Sequence, residues 1–144
     1  MGNRKWLRHD IPSWVEADDY WFITFCCVER GRNSLATGPA HEAIRESLLT
    51  YQGQGRLRVL EAVTMPDHLH LVAQFNLAQG MRGTVSNLKR YLSRTQGIRW
   101  QEGFFDHRIR SDKLLRETVD YARMNPVRAG LAKRPEDWPY RWSR

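Results

Sequence analysis

Apolar positions along this 144-residue chain switch between two periods, and the switches mark the elements. Tyr20 to Val28 is a continuous aromatic and β-branched run, read as a buried strand. Gly31 to Gly38 is a loop. Pro39 suits the first turn of a helix, in which Ala40, Ile44, Leu48 and Tyr51 recur at helical spacing until Gly53 and Gly55 end it. Leu57 to Thr64 carries Leu57, Val59 and Val63 in period-two register, a strand. Met65-Pro66-Asp67 makes a tight connection to another strand, His68 to Phe75, and the two are expected to pair as a hairpin. Met81, Val85, Leu88 and Leu92 then form the stripe of a helix packed on a sheet, which Gly97 breaks. Trp100 to Arg110, with Phe104, Phe105 and Ile109, has room for a short strand. Ser111 or Asp112 can cap a last helix with Leu115, Val119 and Ala122 on its core side. That helix is expected to run to about Asn125, because Pro126 disfavours helical geometry in the residue before it.

The order strand, helix, strand, strand, helix, short strand, helix fits an α+β ferredoxin-like sandwich, a central antiparallel sheet with packed helices. No repeat or linker interrupts it, so residues 1–144 read as one domain with a basic N-terminal arm at 1–19. Hydrophobic residues make up 41%, a globular composition that excludes a disordered chain. The net charge of +7 and pI of about 9.9 point to an anionic partner, and the abundance of arginine points to nucleic acid. Adjacent Cys26 and Cys27 point to opposite faces of a strand, which suits two small buried residues and not a metal pair. No signal peptide is visible and no apolar run approaches the roughly 18 residues of a membrane span, so the cytoplasm is the expected location.

The chemistry concentrates in Met65-Pro-Asp-His-Leu-His-Leu-Val. Alternate strand side chains share a face, so His68 and His70 stand side by side while Leu69 and Leu71 face the other way. Asp67 can orient an imidazole. Two histidines on a sheet face can also be purely structural, and as metal ligands they suit zinc as readily as other ions. On the last helix, Tyr121 and Asn125 are four residues apart and share a face with Leu114 and Thr118. Two histidines and one amide oxygen would leave metal positions open for phosphate. A tyrosine one turn away could then attack in line, its phenol being a weak nucleophile unaided. Tyr91, among Lys89, Arg90 and Arg94, is a rival nucleophile, but Thr95 stands where a partner amide would be.

These residues resemble a known family. The His-hydrophobic-His segment is similar to the "HUH" motif of single-tyrosine transposases and relaxase-like nucleases. Trp100-Gln-Glu-Gly-Phe-Phe-Asp-His-Arg-Ile-Arg, Val119-Asp-Tyr-Ala-Arg-Met-Asn-Pro-Val-Arg-Ala-Gly-Leu and Asp137-Trp-Pro-Tyr resemble one branch, the bacterial REP-associated tyrosine transposases, from about Tyr20 to the C-terminus. The resemblance implies the HUH nuclease fold, His68, His70 and Asn125 as ligands of Mg²⁺ or Mn²⁺, and Tyr121 as nucleophile. It implies a metal-dependent single-strand DNA endonuclease and strand transferase, acting near palindromic hairpins through a covalent phosphotyrosine. The partner would be single-stranded or REP-like hairpin DNA, the protein a nucleoid-associated monomer, with a dimer the other option. The alternative from another class is a non-catalytic hairpin-binding relative. A zinc hydrolase is disfavoured by the charge and by the lack of a Glu in the histidine motif. Candidate DNA contacts are Arg4, Lys5 and Arg8 of the arm, Lys89, Arg90 and Arg94 of the Met81 helix, and Arg99, Arg108 and Arg110. His107 is assigned either a DNA contact or a supporting role beside the metal ligands.

Overall fold

Alternation along one strand sets up the whole molecule. In the computed structural model, which describes residues 19–76 and 78–143, β3 (His68–Phe75) sends Leu69, Leu71, Ala73 and Phe75 into one core and His68, His70 and Val72 to the opposite side. β3 lies at the centre of a five-stranded sheet. It pairs antiparallel with β1 (Tyr20–Cys26) and with β2 (Leu57–Thr64), the hairpin expected from Met65-Pro66-Asp67. β4 (Phe105–Ile109) pairs with β1, and β5 (Arg141–Ser143) with β2, giving the order β4-β1-β3-β2-β5. The first four strands are in ferredoxin-like order, as expected; β5 is an added edge. Its partial match to strand patterning (Trp142 between Arg141 and Ser143) is too short to read from sequence.

On the first face, α1 (Gly38–Gly53) contributes Ala43, Ile44 and Leu48, and α2 (Met81–Gln96) contributes Met81, Val85, Leu88 and Leu92, all buried against Ile23, Phe25, Leu69 and Leu71. Thr37 caps α1, its hydroxyl accepting from the Ala40 amide at 3.3 Å. Gly97 takes a left-handed conformation (φ 68°) that closes α2, which is why a glycine ends it. On the second face lies α3 (Asp112–Arg123), capped by the Ser111 hydroxyl at 3.1 Å from the Leu114 amide. Val119 packs with Val72 and Ile109, and Ala122 with Val63 and Met65.

Two boundaries differ from expectation. β1 stops at Cys26, and Val28 is exposed because the chain turns there into the Arg30–Gly31 loop. α3 stops at Arg123, with Met124 as its cap, and a second short helix, α4 (Asn125–Arg128), begins at Asn125. Tyr121 and Asn125 are therefore not on one continuous helix. The proline has no N–H to give Ala122 and its ring cannot follow an intact turn, but it suits the first turn of a new helix. A buried carboxylate fixes this junction: Glu61 of β2 accepts from Arg123 Nε at 3.1 Å and from the Ser143 hydroxyl at 2.6 Å, joining α3 and β5 to the sheet.

Candidate active site

The register of the sheet decides what surrounds the histidines. In β1, Thr24 lies opposite His70 and Cys26 opposite His68, both on the α3 side. The Thr24 hydroxyl is 2.9 Å from His70 Nδ1. Asp67 Oδ1 is 2.8 Å from His68 Nδ1, while its Oδ2 accepts from Arg30 Nε at 2.9 Å and from the Gly31 amide at 2.7 Å. Burial pushes the Asp67 carboxyl up, but the Gly31 amide, His68 and Arg30 outweigh it and hold the group down at about 2. An ionised Asp67 is an acceptor only, so His68 carries its proton on Nδ1 and turns a lone pair outward from Nε2. Burial lowers both imidazoles from their ordinary value. His68 falls against the pull of Asp67, and His70, helped by the charges of His68 and Arg128, falls to about 3. Both rings are neutral at pH 7, the form that ligates metals.

Asn125 Nδ2 lies 3.2 Å from His68 Nε2, so α4 delivers the amide to the histidine pair. The two histidine rings are 4.7 Å apart. Among the described residues no three His, Cys, Asp or Glu side chains stand close enough to hold a metal ion; the third donor beside the histidines is this amide. The donor set fits a divalent cation: each histidine has its Nδ1 engaged by a protein oxygen, leaving Nε2 for a ligand, and an amide can turn its oxygen inward. Phe22 of β1 connects these groups to the tyrosine. Its ring stacks on His70 at 5.1 Å and meets Tyr121 edge-on at 6.4 Å. Tyr121 is 55% exposed, and with His68, His70, Phe22 and Thr118 it lines a cleft of about 840 Å³ between α3 and the sheet.

The other expected site residues fall in several places. His107 and Arg30 also line the cleft, and burial lowers the His107 imidazole from its ordinary value. Arg108 is tied to Asp19 at 2.7 Å. Arg99 and Arg110 are exposed. Arg90 and Arg94 are exposed on α2, across the sheet from the cleft. Lys89, expected among the DNA contacts, donates its ammonium to the carbonyls of Gln101 at 2.9 Å and Gly103 at 2.6 Å and is half-buried. The segment after α2 turns its carbonyls toward that helix, and a lysine stem is long enough to reach them. Arg4, Lys5 and Arg8 lie outside the described residues. Tyr91 is 38% exposed on α2 and does not line the cleft. Cys27 is in the main core, its thiol pushed up to about 11 chiefly by burial; buried Cys26 faces the cleft. Sequence reasoning missed Thr24, Phe22, Arg30 and Arg128. Thr24 and Phe22 share strand parity, but only the β1–β3 register puts them beside His70.

Three comparisons bear on this geometry. Residues 20–110 match the family model described as "Transposase IS200 like". The chain is 28% identical over 125 residues to the REP-associated tyrosine transposase of Escherichia coli strain K12, covering 83% of this chain and 73% of that one. Its fold is similar to a solved structure of a REP-associated tyrosine transposase bound to a REP hairpin. The TM-score is 0.77 at 23% identity, over 93% of this chain and 82% of that chain.

Proposed function

Because this chain belongs to the IS200-like transposase family, in its REP-associated tyrosine branch, we propose that it is a metal-dependent single-strand DNA endonuclease and strand transferase acting beside palindromic hairpins. One observation carries the reading: a single cleft is lined by the neutral histidine pair and by an exposed tyrosine, with an amide hydrogen-bonded to one histidine. His68, His70 and Asn125 would hold the ion, Mg²⁺ or Mn²⁺. Bound there, it supplies polarisation of the scissile phosphate. Asp67 holds His68 in its ligating tautomer, and the Thr24 hydroxyl occupies Nδ1 of His70, so that Nε2 faces the site. Tyr121 attacks phosphorus through its phenol oxygen. The bond to one strand end breaks, that end leaves as a hydroxyl, and the phosphotyrosine ester keeps the bond energy for rejoining. Single-stranded DNA suits the site because in-line attack needs a flexible backbone. The hairpin in the solved relative makes a REP-like palindrome the first substrate to try.

The test is an end-labelled hairpin with single-stranded flanks, incubated with protein and Mn²⁺ or Mg²⁺. A labelled protein–DNA adduct that resists detergent and disappears with a chelator is the expected result. Hairpin binding without an adduct, across both metals and varied flanks, would instead make the protein a non-catalytic hairpin binder.

A further inference from the structure

α4 points two side chains toward the cleft, and they are three residues apart. Asn125 meets His68, and Arg128 folds back over the tyrosine. The Arg128 guanidinium carbon lies 3.9 Å from the centre of the Tyr121 ring, and Nη2 donates to the Tyr121 carbonyl at 2.8 Å. This clamp uses one of five N–H donors. Three other arginines near the site are paired with carboxylates: Arg30 with Asp67, Arg123 with Glu61 and Arg108 with Asp19. Among the described residues no carboxylate pairs with Arg128. A cation with spare donors therefore stands against the Tyr121 ring, beside a cleft lined by the histidine pair, by Arg30 paired with Asp67, and by Asp106 and Glu117.

We propose that Arg128 is a catalytic residue that binds the scissile phosphate while its flat face holds the Tyr121 ring. The proposal rests on the reading of Tyr121 as nucleophile. As the phenol oxygen bonds to phosphorus, negative charge grows on the non-bridging oxygens. The bond to the departing strand end then breaks, and that end takes a proton to become a hydroxyl. A preorganised planar fork meets two of those oxygens without reorganising, which a lysine ammonium does not.

The experiment measures single-turnover adduct formation on two hairpin oligonucleotides that differ only at the cleavage position mapped with the unaltered protein. One has a normal phosphodiester there, the other an uncharged methylphosphonate. Arg128→Gln should slow the reaction about 100-fold on the phosphodiester, the scale of losing one oxyanion donor. On the methylphosphonate it should react at nearly the unaltered rate, because the charge it served is gone. Arg128→Lys should recover part of the rate on the phosphodiester. Melting temperature, measured in parallel, should hardly change, since Arg128 is exposed. Equal slowing on both substrates would overturn the proposal and leave Arg128 as a ring clamp alone. No slowing on either would overturn it as well. If the unaltered protein forms no adduct, the reading of Tyr121 fails first and takes this one with it.

Discussion

Asp67 is the side chain on which the orientation of His68 depends. It also carries the Arg30 and Gly31 contacts that fold the β1–α1 loop against the site. Asp67→Asn keeps the shape but can present a donor to His68 Nδ1, which frees the tautomer. Divalent-metal affinity should fall about 10- to 100-fold, as for other lost partners of ligating histidines, read by Mn²⁺ titration calorimetry. Unchanged affinity would remove Asp67 from the site. The histidines also set a pH dependence of folding. His70 is held at about 3 in the folded chain, against 6.5 for a free imidazole, so on acidification the unfolded chain takes up its proton first. Stability is therefore full above pH 6.5 and declines as pH falls from there toward 3. Asp67 works lower: held at about 2 against 3.8, it adds stability above pH 3.8 that is lost between 3.8 and 2. Urea midpoints measured without metal from pH 7.5 to 4.5 should fall with acidity, and His70→Gln should flatten that slope.

At the scale of elements, α2 and α4 show what a sequence pattern does and does not carry. The stripe Met81, Val85, Leu88, Leu92 predicts α2 and its buried face, because helical period and burial are the same fact. The destination of Lys89 was not legible, since it depends on where the carbonyls of Gln101 and Gly103 return in space. Lys89→Met keeps the stem and strands those carbonyls. It should cost about 2 kcal/mol by urea denaturation, the scale of hydrogen bonds to a charged group, with hairpin affinity intact. A loss of affinity at unchanged stability would return Lys89 to the DNA surface. The spacing of Tyr121 and Asn125 predicted one helix face carrying both, whereas the structure puts them on two helices. Pro126 breaks the helix, and it is the second helix that brings Asn125 to His68. The histidine pair was legible because strand parity is local; its partner Thr24 was not, because pairing between β1 and β3 spans 46 residues.

At the scale of the molecule, the sheet separates two surfaces. The cleft with Tyr121 lies on the α3 side, while Tyr91, Arg90 and Arg94 lie on the α2 side. The ferredoxin-like order was legible because seven elements of alternating type leave few topologies, whereas β5 was hidden in a tail of aromatic residues. A chain of net charge +7 should bind a hairpin less tightly as salt rises. If the duplex stem reaches around to α2, Arg90→Ala with Arg94→Ala should reduce the slope of log affinity against log salt by about 2; an unchanged slope would confine the DNA to the cleft side. The same separation gives the most direct test of the central claim, which is that Tyr121 is the residue that joins to DNA. The adduct can be trimmed with nuclease and protease and its peptides mapped by mass spectrometry. The nucleotide should be found on the peptide containing Tyr121, and Tyr121→Phe should form no adduct while still binding the hairpin. A nucleotide on Tyr91, or an adduct that persists in Tyr121→Phe, would contradict the account.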